Sequence, residues 1–233
     1  MQQLPEPLFL NFVLTALQTT HARLAITSGE ATRYPAAVAP FAAIATPTTK
    51  ALSHLRELLT PDEYVWATAL GEADPAAAQL KVETSIDVLQ MILPPEVELP
   101  PPYPGILPLD CSRAAEMVAL TDIAFPGFFR RRTCEMGSYF GIHSGETNEL
   151  IAMGGERLVF PGYSEMSGLC THPDHRGQGY AAHLLWHLAR LHRAQGIVSW
   201  LHVTATNATA VNLYLKLGFQ TVRSIKLHKL VVV

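Results

Sequence analysis

Hydrophobic residues in the second half of the chain recur with two periods, one typical of helices and one typical of strands. The helical period is clearest over residues 179–194, where one stripe carries Ala181, Leu184, Leu185, Leu188 and Leu191. Two shorter helices are predicted over residues 111–124 and 208–217. Asn207 is suited to cap the second of these, and Gly218 follows its end, where a left-handed residue commonly terminates a helix.

Strand-like segments alternate with these helices. They cover residues 137–145, 148–160, 163–171, 197–205 and 219–233. In the second segment, the pair Gly154-Gly155 favours a β-bulge. Strands that mix with helices in this order predict an α/β or α+β fold built on a mixed sheet.

The first hundred residues carry weaker patterns. They favour a helix within residues 8–24, paired strands over 22–35 and 39–45, an amphipathic helix over 48–59, and further strands over 63–70 and 85–93. The apolar N-terminal segment is interpreted as a core helix rather than a signal peptide, because acidic Glu6 precedes it and no basic residues do.

A proline-rich stretch, residues 93–108, separates the two parts and holds seven of the 17 prolines. Proline fixes φ and disfavours helix for the residue before it, so this stretch is predicted to be extended and stiff. We place a domain boundary there, with an N-terminal lobe over 1–100 and a second domain over 101–233. The lobe carries 5 Lys and Arg against 11 Asp and Glu, whereas the second domain carries 12 against 9. An anionic ligand would therefore favour the second domain.

Composition narrows the class of protein. The 233 residues are 48% hydrophobic and 16% charged, and no apolar run approaches the roughly 18 residues that a bilayer span needs. The net charge of −3 does not indicate a nucleic-acid partner. The three cysteines, Cys111, Cys134 and Cys170, form no recognisable framework, which favours reduced thiols and a cytoplasmic location.

The segment "THPDHRGQGYA", residues 171–181, joins a predicted strand to the longest predicted helix. A helix N-terminus carries unpaired N–H groups and partial positive charge, and glycine lets a ligand approach the backbone closely. Arg176 adds a cation, so a phosphate is the natural ligand. The Walker pattern is absent because no Gly-Lys-Ser/Thr follows, and the dinucleotide pattern fails after Gly179.

Residues 176–181 read Q/R-x-x-G-x-G/A, with Ala181 in place of the second glycine. This pattern resembles the pyrophosphate loop of the GNAT superfamily of acetyl-CoA-dependent N-acyltransferases. The segment "NATAVNLYLKLGF", residues 207–219, is similar to a late segment of that family, and Glu165 stands 11 residues before Arg176, where members with a glutamate base usually have it. The resemblance covers roughly residues 105–233. Within the superfamily, these segments look most like the glycine-N-acyltransferase-like branch, in which an N-terminal lobe often precedes the catalytic half.

The resemblance implies a GNAT-type mixed, mostly antiparallel sheet with flanking helices, preceded by an α/β lobe that could be a degenerate copy of the same fold. It also implies acetyl-CoA as co-substrate and no metal. The strand that precedes the loop is expected to splay from the next one, with pantetheine pairing along it. The cofactor-binding residues would be Leu169, Cys170, Thr171, Arg176, Gly177, Gln178, Gly179, Tyr180, Ala181 and Asn207. Of these, Leu169 or Cys170 would polarise the thioester carbonyl through its N–H, and Asn207 could be simply a helix cap.

Two residues are candidates for acid–base catalysis. Tyr214 lies in the "LY" segment and would protonate the leaving thiolate, although an aromatic on an amphipathic helix can also be a core residue. Glu165 would take a proton from the amine, directly or through a water, although it could be a solvated strand carboxylate. Strand alternation predicts Glu165 on one face with Ser167 and Leu169, opposite Met166 and Cys170.

Other polar features are given structural interpretations. Cys170 lies inside a strand and is expected to be a buried thiol rather than a nucleophile. His183 and His187 are expected on a solvated helix face rather than at a metal, because no carboxylate lies between them as in HExxH. Residues 130–132, three arginines, could clamp an acceptor carboxylate but fit an exposed charge run better, and "FPGFF" at 125–129 could line an acceptor pocket or fill the core.

The predicted function is direct transfer of an acetyl group from acetyl-CoA to a primary amine within a ternary complex. The expected partner is a small-molecule amine or amino acid, with neither nucleic acid nor membrane, and the sequence leaves the acceptor, the acyl-chain length and the oligomeric state open. Two alternatives are a non-catalytic CoA-binding sensor or partner domain, and an interaction module whose loop binds only a free anion.

Overall fold

The structure, a computed structural model, describes residues 10–124 and 126–233. Its N-terminal part forms helices α1 (Phe12–Gln18) and α2 (Thr49–Glu57) and five strands: β1 (Ile26–Ser28), β2 (Ala31–Arg33), β3 (Ala42–Ile44), β4 (Tyr64–Ala67) and β5 (Leu80–Ile92). The elements predicted for the first hundred residues are therefore confirmed in type. The start of the helix predicted within 8–24, and Glu6, lie outside the described residues.

The second part forms six strands and three helices in the described ranges. These are β6 (Ile106–Leu109), α3 (Ala114–Ala124), β7 (Tyr139–His143), β8 (Leu150–Phe160), β9 (Tyr163–Thr171), α4 (Tyr180–Ala194), β10 (Val198–Thr204), α5 (Ala208–Lys216) and β11 (Gln220–Val232). Only β6 departs from the prediction, because the end of the proline-rich stretch pairs as an edge strand with β7. The apolar stripe of α4 is confirmed, since Leu184, Leu185 and Leu188 are buried.

Most strands belong to one eight-stranded sheet in the order β4-β11-β5-β10-β9-β8-β7-β6, and β1, β2 and β3 form a separate antiparallel sheet. In the large sheet β9 and β10 are parallel, and the other neighbours are antiparallel. Helices α4 and α5 pack on one face, in a cluster that includes Met166, Leu185 and Leu201. Helices α1 and α3 pack on the other, where Trp200 and Met153 are buried. This is the mixed, mostly antiparallel sheet with flanking helices that the sequence predicts.

The strand order is nearly symmetric about the central β11–β5 pair. On one side β5 is followed by β10 and then by β9, its parallel neighbour. On the other side β11 is followed by β4, which is joined to the residue before β3 by a parallel bridge between Phe41 and Trp66. The large sheet thus contains strands from both sides of the domain boundary that we place near residue 100. That boundary stays a prediction.

A disulfide joins Cys111, just before α3, to Cys134 in a short 3-10 helix, with 5.5 Å between the two Cα atoms. The prediction that all three cysteines are reduced is therefore wrong for this pair. Spacing could not reveal it, because the fold brings together two residues that are 23 positions apart. Cys170 is a free, buried thiol. Among the helices of the described ranges, none has both the length and the apolarity of a bilayer span.

Candidate functional site

A wedge-shaped gap opens between β9 and β10. The parallel pairing joins Tyr163 to Val198, Ser164 to Ser199 and Glu165 to Trp200, and it ends there. Both strands continue, β9 as far as Thr171, so the edge of β9 that faces β10 has no strand partner beyond Glu165. Backbone N–H and C=O groups along such an edge need partners. An extended ligand lying between the strands would supply them, as the resemblance noted above implies.

A β-bulge lies in the middle of this free edge. Gly168 has a left-handed φ of +64°, and the β8–β9 register shifts between the pairs Met153–Cys170 and Gly155–Ser167. A bulge breaks the alternation of side chains, so the predicted faces of β9 are wrong beyond Ser167. Leu169 packs with Met166 in the cluster around α4, and Cys170 packs with Met153 in the cluster around α3.

The end of β9 leads directly into the predicted anion loop. After the 3-10 turn Pro173–His175, the chain passes through Gly177 and Gly179 at φ values of +80° and +79°, and α4 begins at Tyr180. Left-handed φ values favour glycine. Gly179 is the N-cap and makes no side-chain hydrogen bond, which leaves the N-terminus of a 15-residue helix open to an anion.

The loop side chains point largely to solvent. Arg176 is exposed, and its Nε lies 3.4 Å from the Thr171 carbonyl oxygen. The Tyr180 hydroxyl donates to Gln178 Oε1 at 2.9 Å. All the loop residues proposed to hold a pyrophosphate, 176–181, therefore come together where the gap reaches α4.

Glu165 stands at the point where the gap begins, and its side chain is 0% exposed. Arg157 of β8 donates to both carboxylate oxygens, at 2.9 and 2.7 Å, and His202 Nδ1 of β10 donates to Oε1 at 2.8 Å. Burial raises the pKa of Glu165, but the charge of Arg157 and the hydrogen bonds from His202 and Arg157 outweigh burial and hold this pKa at about 2. The alternative of a solvated carboxylate is excluded, and both oxygens of the ionised Glu165 already accept hydrogen bonds.

The N-terminal lobe covers this ion pair. The Phe12 ring of α1 packs against His202, with ring centroids 4.6 Å apart and the rings tilted, and lies 5.8 Å from the Trp200 ring. His202 Nε2 lies 3.0 Å from Gln90 Nε2 of β5. Sequence reasoning missed Arg157, His202 and Gln90. The only signal was an arginine and a histidine on strands next to Glu165, and their register with Glu165 could not be read from the sequence.

Tyr214 lies on the opposite face of the sheet from Glu165. Its ring packs 5.7 Å from Phe219, in the cluster that also contains Met166 and Leu201. Burial raises the pKa of Tyr214 to about 12, so the phenol stays protonated at neutral pH. Asn207 caps α5, since its Oδ1 accepts from the Ala210 N–H at 3.1 Å. The cap is therefore confirmed, whereas contact with a ligand stays a prediction.

The remaining candidates have structural partners. Cys170 is 7% exposed, and burial raises the pKa of its thiol to about 12, which does not suit a nucleophile. His183 stacks on Tyr103 at 4.2 Å and His187 packs on Phe140 at 4.5 Å, so the predicted solvated face is wrong for both. Within the described residues, no three His, Cys, Asp or Glu side chains come together as a metal site would require.

Two of the three clustered arginines are paired. Arg130 donates to the Tyr64 hydroxyl at 2.6 Å, and Arg132 forms an ion pair with Glu135 at 2.6 Å. Arg131 is exposed. Arg132 is exposed as well, so two of the three arginines fit the exposed charge run that the sequence favours. In the apolar stretch beside this run, residues 125–129, Phe125 lies outside the described residues.

Comparisons with known proteins agree with this geometry. Residues 110–219 match the model of the acetyltransferase (GNAT) family. A solved structure from Novosphingobium aromaticivorans, described as a GNAT-family acetyltransferase, is 31% identical over 97% of this chain and 98% of that chain, with a TM-score of 0.85. A GCN5-related N-acetyltransferase from Kribbella flavida has a TM-score of 0.63 at 16% identity, over 99% of this chain and 96% of that chain.

A third solved structure, a tandem GNAT protein from the clavulanic acid biosynthesis pathway, has a TM-score of 0.53 at 15% identity, over 82% of this chain and 75% of that chain. At such identities the last two likenesses show the fold alone. A search of curated proteins finds no match.

Proposed function

Because the chain belongs to the GNAT family of acetyltransferases, we propose that it moves an acetyl group from acetyl-CoA to a primary amine in one direct step. One observation carries the proposal: β9 leaves β10 after Glu165 and runs, with its edge free, into a glycine loop at the start of α4. A CoA molecule needs such an arrangement, an extended slot for pantetheine that ends at an anion site.

The proposed binding follows the free edge. Main-chain N–H groups over 176–181 hold the pyrophosphate, and Arg176 adds positive charge. The backbone of Leu169 and Thr171 pairs with pantetheine, and the N–H of Leu169 or Cys170 polarises the thioester carbonyl. Asn207 contacts the pantetheine arm while it caps α5.

Tyr214 acts as the general acid in this proposal. When the amine nitrogen bonds to the acetyl carbon, the carbon–sulfur bond breaks and the thiolate takes the phenol proton. A phenol with a pKa of about 12 is a weak acid for a thiolate in water. A thiolate released into a gap that holds little water would also be more basic than in water, because burial disfavours the charged form, which brings the transfer closer to balance.

Glu165 acts through an intermediary. Both its oxygens are engaged and its pKa is about 2, so direct abstraction from an amine is weak. We propose that the amine attacks as the neutral base, and that a water near Glu165 takes the proton lost on attack and passes it to solvent. The acceptor is a small amine or amino acid. The glycine-N-acyltransferase-like branch and a cytoplasmic location belong to the proposal, although the disulfide weighs against the latter.

The N-terminal lobe is proposed to be a degenerate copy of the same fold. Its order of three antiparallel strands, a helix and a strand that bridges in parallel to the third repeats the order of β7, β8, β9, α4 and β10. The lobe carries no glycine loop between β3 and α2. It would therefore shape the acceptor side rather than bind a second cofactor.

Thiol release from acetyl-CoA across a library of amines and amino acids tests the proposal. Tyr214→Phe should lower kcat at least tenfold, because the thiolate loses its proton donor, with little change in the KM for acetyl-CoA. Tyr64→Phe, on the far edge strand β4, is the matched control and should leave kcat unchanged. Full turnover in Tyr214→Phe would refute the role of Tyr214.

The alternatives give different results in the same experiment. A thermal shift with CoA but no thiol release with any amine would favour a non-catalytic CoA-binding domain. The absence of any CoA-induced shift would favour a module that binds only a free anion.

A further inference from the structure

Tyr139 of β7 lies across the sheet beside the gap. Its backbone pairs with Gly155 of β8, and Gly155 pairs in turn with Ser167 of β9. Tyr139, Gly155 and Ser167 thus form one row across three strands. The Tyr139 side chain belongs to the cluster with Met153 and Cys170, on the face that also carries Glu165.

Two glycines make room for the Tyr139 ring. A Cβ at Gly155 would lie 2.6 Å from Tyr139 Cγ, a distance that no real side chain tolerates. A Cβ at Gly168 would lie 3.3 Å from Tyr139 Cε1. The ring therefore lies over β8 at Gly155 and reaches the β9 bulge, which is the place where β9 has left β10. Phe129 fixes the ring from the side, perpendicular to it at 5.3 Å.

The Tyr139 hydroxyl is buried without a partner. The residue is 2% exposed, and its oxygen makes no hydrogen bond within the described part of the chain. Leaving a buried hydroxyl unpaired costs about 1–3 kcal/mol, whereas phenylalanine would fill the same space without that cost. Burial raises the pKa of Tyr139, so the phenol is neutral and can both donate and accept a hydrogen bond.

We propose that the Tyr139 hydroxyl contacts the acceptor: it accepts a hydrogen bond from the N–H of the attacking amine and aims the nitrogen lone pair at the acetyl carbon. This inference rests on the proposed function. It assigns the face of α1 and α3 to the acceptor, whereas Tyr214 serves the thiolate from the face of α4.

Steady-state kinetics of Tyr139→Phe, with acetyl-CoA and the best amine of the library, test this inference. We expect kcat/KM for the amine to fall at least tenfold, while the KM for acetyl-CoA stays within twofold of the wild type. The melting temperature should stay the same or rise, because the substitution removes an unpaired buried hydroxyl.

Tyr34→Phe is the matched control. Tyr34 is equally buried, but its hydroxyl donates to His21 Nδ1 at 2.7 Å, so its loss should lower the melting temperature and leave kcat/KM unchanged. A wild-type kcat/KM for the amine in Tyr139→Phe would overturn the inference alone. A wild-type enzyme that transfers acetyl to no amine would overturn the proposed function and the inference with it.

Discussion

At the scale of single residues, burial changes what a carboxylate can do. Glu165 was a candidate base because of its position in the sequence, and the fold places it under α1 in an ion pair with Arg157. An ion pair removed from water is held by mutual attraction and by hydrogen bonds that satisfy both partners. Arg157 also stacks over Phe41, 4.8 Å from the ring centroid. The pair therefore links β8 and β9 to the N-terminal lobe.

Glu165→Gln should destabilise the protein by about 3–5 kcal/mol, because it leaves the buried Arg157 guanidinium without a counter-charge. The free energy of unfolding, from urea titration, measures this effect. The double variant Glu165→Leu with Arg157→Met is the control, since it removes both charges and should recover part of the stability, with only the buried His202 Nδ1–H left without its acceptor. If Glu165→Gln were as stable as the double variant, the unpaired charge of Arg157 would not be the cause of the destabilisation.

The carboxylates of Glu156 in β8 and Glu165 in β9 should also contribute to the acid stability. Burial raises the pKa of Glu156, but hydrogen bonds from His192, Ser164 and Ser138 bring it down to about 2, like the pKa of Glu165. In the unfolded chain a glutamate has a pKa of about 4.3. A depressed folded pKa gives stability that is present above the unfolded value and is lost as the pH falls through the folded value.

Stability should therefore fall between about pH 4.5 and pH 2, by up to about 1.4 kcal/mol per pH unit for each carboxylate. Urea midpoints measured across this range check the slope. Arg33 holds the pKa of a third carboxylate, Glu63, at about 2 as well, so Glu156→Gln removes one of three and should reduce the slope to about two thirds. An unchanged slope in that variant would mean that other groups control acid unfolding.

At the scale of elements, the glycine loop depends on backbone conformation that side chains rarely adopt. Gly177 and Gly196 have φ values of +80° and +68°, and a Cβ at either would meet no atom within 4 Å. The two glycines differ in place: Gly177 precedes the N-terminus of α4, and Gly196 follows its C-terminus. Substituting each glycine in turn therefore distinguishes the effect of backbone strain from an effect on ligand binding.

Gly177→Ala and Gly196→Ala should each cost about 1 kcal/mol of stability, because alanine is strained at positive φ. Only Gly177→Ala should weaken CoA, by tenfold or more, since its Cβ would lie where the phosphates approach the backbone. Isothermal titration with CoA measures the affinity, and the melting temperatures verify the matched strain. Equal CoA affinity in the two variants would place the pyrophosphate elsewhere.

The elements of this fold were predictable where the signal is local. The helix of residues 180–194 follows from its apolar stripe, and the cap at Asn207 and the stop at Gly218 follow from residue type. The bulge favoured at Gly154-Gly155 is not found there, because both glycines pair regularly with Phe140 and Tyr139 of β7 and the extra residue of the nearby register shift lies in β9. That bulge, at Gly168, is not predicted from the sequence, so the expected faces of Leu169 and Cys170 are wrong. A single glycine in a strand does not reveal whether the pairing continues past it.

At the scale of the whole molecule, the pairing of distant strands determines features of the fold that no local sequence pattern predicts. No periodicity shows that β5 lies between β10 and β11, or that Cys111 lies beside Cys134. The same is true of part of the candidate site. The loop and Tyr214 lie in local motifs and are candidates from the sequence alone, whereas Arg157, His202 and Tyr139 come close to β9 only through strand register, which the sequence does not encode locally.

The central position of β5 predicts that the two parts of the chain fold together. Strand β11 pairs with β5 from Gln220 to Val232, and β10 pairs with it from Trp200 to Thr204. A fragment of residues 101–233 would lose β5 and expose two long strand edges, which invite aggregation. We expect the fragment to be insoluble or unfolded by circular dichroism, and the full chain to unfold in one transition by both circular dichroism and tryptophan fluorescence.

Co-expression with residues 1–100 is the control and should restore a soluble complex, because the missing strand is supplied in trans. A soluble 101–233 fragment that binds CoA would instead show that the boundary near residue 100 separates two independent domains, with β5 an accessory to a sheet already stable without it.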